Sequence, residues 1–351
     1  MSIKRVKPAP TDRRRLWPLV AAGGALLLAV LPGCEKRRDD DTVRADPASV
    51  PVAMDEEPIL PIPRGHPSSL DARKVALGNK LFHEPALSRD NSISCASCHP
   101  LDRGGVDHLP RSLGINGQQG EVNTPTVFNS ALNFAQFWDG RASTLEEQID
   151  GPVLSTFEMG TSWDEILKKL RDTPAYVAAF REIYSDGVQS RNVKSAIAEF
   201  ERSLITLDSR FDRYLRGDPF ALTADEKNGY LKFKGYGCIS CHQGMNIGAN
   251  LFQRMGVIGD YFADRGNLTK ADLGRFNVTG REEDRHVFKV PSLRNVAVTA
   301  PYFHDSSAQT LEDAVAVMAK YQLGRPLPPK DMEDIVKFLR TLTGEYGGKP
   351  L

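Results

Sequence analysis

The sequence predicts an all-α protein built as two small helical domains, each holding one C-x-x-C-H motif. Three observations carry that expectation. The motif occurs twice, as Cys95-Ala-Ser-Cys-His99 and Cys238-Ile-Ser-Cys-His242. A short apolar helical stretch leads into each copy, so a unit of roughly 145 residues recurs. Strand-like alternation is scarce, whereas apolar residues at helical spacing and helix-start signals recur along the chain.

Taken from the N-terminus, residues 1–33 read as an export signal. Lys4, Arg5, Lys7 and Arg13 to Arg15 precede an apolar run from Leu16 to Leu31. That run is shorter than the roughly 20 residues a membrane-spanning helix needs. Its end, Leu31-Pro32-Gly33-Cys34, resembles a bacterial lipobox, so Cys34 is expected to carry a lipid after cleavage. Proline before the glycine departs from the usual lipobox, and a plain secretory signal cut nearby is the alternative. Either route takes the mature protein out of the cytoplasm, to the periplasm. Residues 34–60 are polar, charged and proline-dotted, the composition of a flexible tether.

The first domain is expected over 61–216. It opens on the helical stretch Val75 to Phe82 and runs through the first motif. Thr144-Leu-Glu-Glu147 and Ser162-Trp-Asp-Glu165 are capping boxes, in which hydroxyl and carboxylate satisfy each other's exposed backbone donors. Val193, Ile197, Phe200 and Leu204 make one apolar stripe. The second domain, expected over 217–351, joins near Arg216 to Pro219. It begins with a third capping box, Thr223-Ala-Asp-Glu226, ahead of Gly229 to Lys234 and the second motif. Met332, Ile335, Val336, Leu339 and Leu342 form its last stripe, with Gly344 expected as the helix stop.

Composition narrows the class. With 40% apolar and 26% charged residues over 351, the chain suits a soluble globular protein. Basic and acidic residues number 45 each, but six basic and one acidic lie in 1–33, so the remainder carries five more acids than bases. No basic face for nucleic acid is offered. A mildly acidic body suits a basic protein partner. Of five cysteines, four belong to the two motifs and Cys34 to the signal, so none remains for a disulfide.

Two thiols at i and i+3 can add to the two vinyl groups of one haem, and the adjacent histidine then reaches the iron. Cys95 and Cys98 would hold one haem with His99 as axial ligand, and Cys238 and Cys241 a second with His242. Zinc or a redox dithiol are the alternatives; zinc needs further ligands at motif spacing, and no third cysteine stands near either copy. A second axial ligand separates an electron carrier from a reactive iron, since a haem held by His and Met is saturated. Met245 is too close to His242 to cross the ring, and Met332 lies on an apolar stripe. On spacing, Met318 and Met255 stay open.

A set of short blocks then occurs in order. Gly104-Gly105 follows the first motif, then Asn123-Thr-Pro-Thr-Val127, Gln136-Phe-Trp-Asp-Gly-Arg141, Gln148, Gly151-Pro152 and Glu158-Met159. After the second motif come Leu293-Arg-Asn295, Thr299-Ala-Pro-Tyr-Phe-His304 and Met318. In order and spacing this resembles the bacterial di-haem cytochrome c peroxidase family, over roughly residues 61–344. The resemblance implies two cytochrome c-like domains, each with one covalent c-type haem. The first haem would react with hydrogen peroxide and the second would accept electrons from a small c-type cytochrome or cupredoxin. It also implies Met318 as ligand of the second haem and Trp138 between the haems. Gln148 and Glu158 become the polar pair above the reactive iron, where a carboxylate can move a proton between the two peroxide oxygens. Asn123, Thr299 and Pro301 become oxygen donors to one Ca²⁺, a hard cation that accepts such ligands.

One position departs from the family. Members activated by reduction place a histidine in the loop after the first motif, and here the matching residue is Ile115; His108 is the histidine nearby. The protein expected is thus a periplasmic di-haem peroxidase, tied to a membrane only by a lipid anchor, with a homodimer as one assembly open to it. Two rivals are carried. A related di-haem oxidase modifies tryptophans in a partner protein; it shares the absent histidine but has a tyrosine where this chain has Met318. The other is a di-haem electron carrier without catalysis.

Overall fold

The computed structural model describes residues 57–65, 67 and 69–351. The export signal, Cys34 and most of the expected tether lie outside the described residues. In the first half the helices are α1 (Ala72–Phe82), α2 (Cys95–Cys98), α3 (Leu145–Gln148), α4 (Asp150–Leu154), α5 (Trp163–Arg171), α6 (Pro174–Ile183) and α7 (Ser190–Ser203). Then follow α8 (Arg210–Leu215), α9 (Ala224–Gly235), α10 (Tyr261–Arg265), α11 (Phe276–Thr279), α12 (Leu311–Gln322) and α13 (Pro329–Arg340). The protein is mostly helical, as expected. None of the described helices is long and apolar enough to cross a membrane.

Two helix crossings organise the packing, and a glycine sets each. α1 crosses α7 at Gly78, where a Cβ would fall 1.9 Å from the Ala196 carbonyl oxygen. α9 crosses α13 at Gly229, where a Cβ would fall 1.9 Å from the Asp334 carbonyl oxygen. Any larger residue would push the backbones apart. Leu81, Phe82, Phe180, Ile197 and Leu204 centre the apolar cluster around the first crossing. Phe211, Tyr230, Phe233, Ile335 and Phe338 centre the one around the second.

The repeat runs further than the motifs. Asn129 and Asn295 both take left-handed backbone, at φ 61° and 62°, and each heads a 3₁₀ turn. Downstream, left-handed Phe137 and Phe303 sit in matching loops closed by the bridges Gln136–Ala142 and Tyr302–Ala308. What breaks the symmetry is an insertion in the second half. It contains the antiparallel pair β1 (Phe252–Arg254) and β2 (Val287–Lys289), with α10 and α11 between them. A short hairpin, β3 (Glu345–Tyr346) with β4 (Lys349–Pro350), ends the chain.

The two clusters are stitched together by polar groups. Buried Thr206 exchanges bonds with Asn129, at 2.8 and 2.9 Å, and accepts one from Asn295 Nδ2 at 3.1 Å. The chain ends cross over as well. Ile59 belongs to the second cluster, whereas Tyr346 and Leu351 pack on the first.

The helix-start signals act where expected, with local differences. Thr223 and Glu226 form the full reciprocal box. At the other two, the hydroxyls of Thr144 and Ser162 cap as expected. The acids reach one residue further back: Glu147 accepts from the Ser143 N–H at 2.8 Å and Glu165 from the Thr161 hydroxyl at 2.9 Å. Gly344 is not the helix stop, because α13 ends at Arg340. Its lack of a side chain serves close approach instead: a Cβ would lie 2.9 Å from Thr206 Cβ, and its N–H donates to Asn295 Oδ1 at 3.0 Å.

Candidate haem and redox sites

The first motif forms one helical turn. Its start is held by the Ser97 hydroxyl, which accepts from the Ser94 N–H at 2.9 Å. The His99 N–H donates to the Cys95 carbonyl at 2.9 Å, closing the turn. Gly104 and Gly105 follow with φ 74° and 71°, a conformation that carries the chain back so that the Gly105 carbonyl meets His99 Nδ1 at 3.1 Å. With Nδ1 donating there, Nε2 is the nitrogen offered to a metal. Burial lowers the His99 pKa, keeping the ring neutral as a ligand must be.

The second motif is a 3₁₀ turn, Cys238–Ser240, entered through left-handed Gly237. The His242 N–H bonds the Cys238 carbonyl at 3.0 Å. Burial pushes the His242 imidazole down to about 4, opposed in part by the carbonyls of Ile247 and Pro291. Its Nδ1 is buried without a hydrogen-bond partner. The backbone thus fixes the imidazole orientation at His99, and no such bond is made at His242.

The thiols fit covalent haem and not the alternatives. All four are free. Burial pushes Cys95 up to about 12, and Cys98 and Cys238 up to about 11. A reactive redox dithiol needs the opposite shift, whereas a thioether is uncharged and tolerates burial. Among the described residues, the group of acids, histidines or cysteines close enough to share an ion is Asp272, His304 and Asp305, with no cysteine in it.

Of the two methionines left open by spacing, Met255 packs against the cluster of Tyr261, Phe262, Phe288 and Tyr321; Met332, read as core, packs against the second cluster as expected. Met318 lies half-buried in α12 and packs into neither cluster.

The loop after Gly114 lies flush against Phe157 and Glu158. A Cβ on Gly114 would fall 2.0 Å from the Phe157 oxygen, and the Ile115 N–H donates to the Glu158 carbonyl at 2.8 Å. Ile115 is 2% exposed, with its Cδ1 against Gly160. Glu158 is half-buried, and burial raises its pKa, while Arg141 and the Ser155 hydroxyl pull it back and Glu121 adds to the rise. Its charge is felt at Cys98. Arg141 is itself held over the Phe137 ring, 3.4 Å from the centroid, and pairs with Asp139 at 3.1 Å. Glu158, Ile115, Arg141 and Cys98 thus share one neighbourhood. Gln148 ends α3, half-buried. His108 is tied elsewhere: Nδ1 lies 2.8 Å from the Ala300 carbonyl and Nε2 3.1 Å from that of Arg103.

Trp138 sits where the two halves meet. Its indole N–H donates to the Asn123 carbonyl at 2.9 Å, and its own carbonyl accepts from Lys289 N–H at 2.8 Å. Its ring meets His304 edge-on, with centroids 6.3 Å apart. The buried Asn123 donates its N–H to the His304 carbonyl at 2.8 Å and Nδ2 to the Leu109 carbonyl at 3.2 Å, so Oδ1 is the oxygen it can offer a cation. Sequence reasoning missed the network behind His304. Its Nε2 bonds Asp272 at 2.7 Å, and Arg265 bridges Asp272 and Asp305. With the guanidinium between the acids, this is an ion-pair network and no cation site. No local pattern marks it, because its members come from three separate segments.

Comparison with known proteins places these features in company. Residues 72–219 match a family model described as di-haem cytochrome c peroxidase. The chain is 51% identical over 291 residues to cytochrome c peroxidase Ccp of Escherichia coli (strain K12), covering 83% of this chain and 62% of that protein. It therefore spans less than two thirds of that relative's length. It is 45% identical over 299 residues to cytochrome c551 peroxidase of Nitrosomonas europaea, covering 85% of this chain and 87% of that one. A solved structure of a MauG-like protein associated with microbial copper homeostasis superposes with a TM-score of 0.68 at 28% identity, covering 82% of this chain and 93% of that chain.

Proposed function

The chain belongs to the di-haem cytochrome c peroxidase family, and we propose that it reduces hydrogen peroxide at the haem on Cys95 and Cys98 while electrons enter through the haem on Cys238 and Cys241. As a member it is a cytochrome c peroxidase, an oxidoreductase with c-type haem. One turnover takes two electrons from the donor and two protons from solvent, and releases two waters. The observation that carries the division of labour is Glu158, whose backbone carbonyl accepts from Ile115 and whose carboxylate lies within electrostatic reach of Cys98.

When bound, the first haem, held by Cys95, Cys98 and His99, would supply the redox chemistry for cleaving the O–O bond. The polypeptide moves the protons. Glu158, made more basic by burial, accepts the proton from the near oxygen and returns it to the far one. Arg141 holds that carboxylate in place electrostatically, and Gln148 orients the substrate from the end of α3. Ile115 fills the position beside Glu158 with an apolar side chain that cannot ligate a metal. Trp138, bonded to Asn123 in one half and to Lys289 in the other, lies on the electron route. Asn123, Thr299 and Pro301 would offer oxygens to a Ca²⁺, as the family resemblance implies. Turnover with hydrogen peroxide and a reduced c-type cytochrome or cupredoxin tests the whole; a chain that binds both haems yet shows no turnover with any reduced donor is an electron carrier.

Two expected results separate the haems. Electron paramagnetic resonance of the fully oxidised protein should show a high-spin ferric signal from the first haem. Ile115 cannot ligate iron, and both ring nitrogens of His108 face backbone carbonyls. Two low-spin haems, one turning high-spin in His108→Ala, would overturn this. Met318→Ala should keep both haems attached but lower the second haem's reduction potential, because a thioether ligand favours ferrous iron. An unchanged potential there would move the ligand to Met255.

The oxidase reading is the second one, favoured by Ile115 and opposed by Met318. Separate apolar clusters support two halves, although Phe211 and Leu215, ahead of the expected boundary at Arg216, already pack into the second. Export to the periplasm, a lipid on Cys34 and a homodimer complete the proposal.

A further inference from the structure

Lys289 is buried without a counter-charge. The residue is 8% exposed, yet no carboxylate among the described residues pairs with it. Burial is the sole cause that pushes its ammonium, down to about 8. A buried cation is strongly unfavourable unless an anion or a set of acceptors meets it. The other buried Lys or Arg among the described residues, Arg294, has Asp212.

Its position says what the anion is. Lys289 ends β2, and its N–H is bonded to the Trp138 carbonyl. Across the pair it stands opposite Phe252, so the two share a face of the hairpin. That face meets the loop of the first half, where Phe252 lies against Gly140 and edge-on to Phe134. The same hairpin touches the second motif, with Gln253 Nε2 3.9 Å from Cys241 Sγ. A haem fixed by two thioethers brings two carboxylates to a set place, and these are the anions that the chemistry of this site supplies. The nearest acidic network, Asp272 and Asp305, is already occupied by Arg265.

We propose that the Lys289 ammonium is the counter-cation of a haem carboxylate at the junction of the two halves, and that it raises the reduction potential of the haem on Cys238 and Cys241. The inference rests on the reading of the motifs as haem sites. A fixed positive charge near iron disfavours the ferric state, which carries one charge more than the ferrous. Lys289 is thus a positioning and tuning residue and takes no direct part in cleaving peroxide.

The test uses haem-loaded full-length protein and its Lys289→Gln and Lys289→Arg variants. Haem per chain is counted from the pyridine haemochrome spectrum, and each midpoint potential is measured by spectroelectrochemistry. The expected result is two haems in all three proteins, a lowered second-haem potential in Lys289→Gln, and the parent value restored in Lys289→Arg. Lys289→Met, which keeps the apolar stem, replaces the Gln variant if that one does not accumulate. A parent-like potential in the neutral variant, with both haems present, overturns this inference and leaves the peroxidase reading intact. A parent chain without covalent haem overturns both.

Discussion

Glu158→Ala is expected to retain both haems and their absorbance while losing peroxide turnover by roughly 10²–10⁴-fold, the usual contribution of a positioned acid–base group. The side chain is not needed to hold its loop, because the backbone does that work: the Glu158 carbonyl accepts from Ile115 and its N–H donates to Ser155. Loss of activity with intact haem spectra therefore reports the carboxyl and not a collapsed pocket. The pH profile adds a second reading. Burial raises the Glu158 pKa, against the pull of Arg141. The ionised form must take the peroxide proton, so turnover should decline as pH falls through the raised pKa of Glu158. In Glu158→Gln that acidic limb should vanish together with most of the rate. Steady-state rates across pH, with a saturating reduced donor, check both. Turnover at the parent rate in either variant makes this carboxylate a bystander.

Arg294→Met should be the most destabilising single change away from the haems, by about 3–5 kcal/mol, the cost of stranding one member of a buried ion pair. Arg294 and Asp212 are 1% and 0% exposed at their side chains, joined by bonds of 2.8 and 3.0 Å. The same guanidinium donates to the carbonyls of Met245, just past the second motif, and of Leu60. It therefore ties the haem-attachment loop, the N-terminal segment and α8 to one point. Chemical denaturation of the haem-loaded variant measures the loss. Arg294→Met combined with Asp212→Leu should recover much of it, because no charge is then left buried. A small loss in the single variant, within about 1 kcal/mol, would mean that water reaches the pair.

The short-range features of the chain were open to reading before any fold was known. A thiol pair and histidine within one turn name covalent haem, because that spacing answers one porphyrin. Hydroxyls three residues ahead of acids marked the starts of three helices, since a cap is made between neighbours in sequence. The blocks from Asn123 to Met318 carried the family resemblance. Each of these is information held within a few residues, or in the order of such pieces.

Distance in sequence set the limit. Gly344 looked like a helix stop because glycine often is one; its neighbour is Thr206, more than a hundred residues earlier, and the close approach there cannot be seen locally. His108 was free to cap the first haem until the fold brought the Ala300 carbonyl to it across 192 residues. Lys289 reads as one more charged residue in Phe288-Lys289-Val290, and its burial without an acid follows from the packing of the hairpin against the other half. Which residues a chain can use for capping, attachment and ligation is written in local chemistry. Which of them become neutral, crowded or left without a partner depends on burial, and burial is made by segments that meet only in the folded molecule.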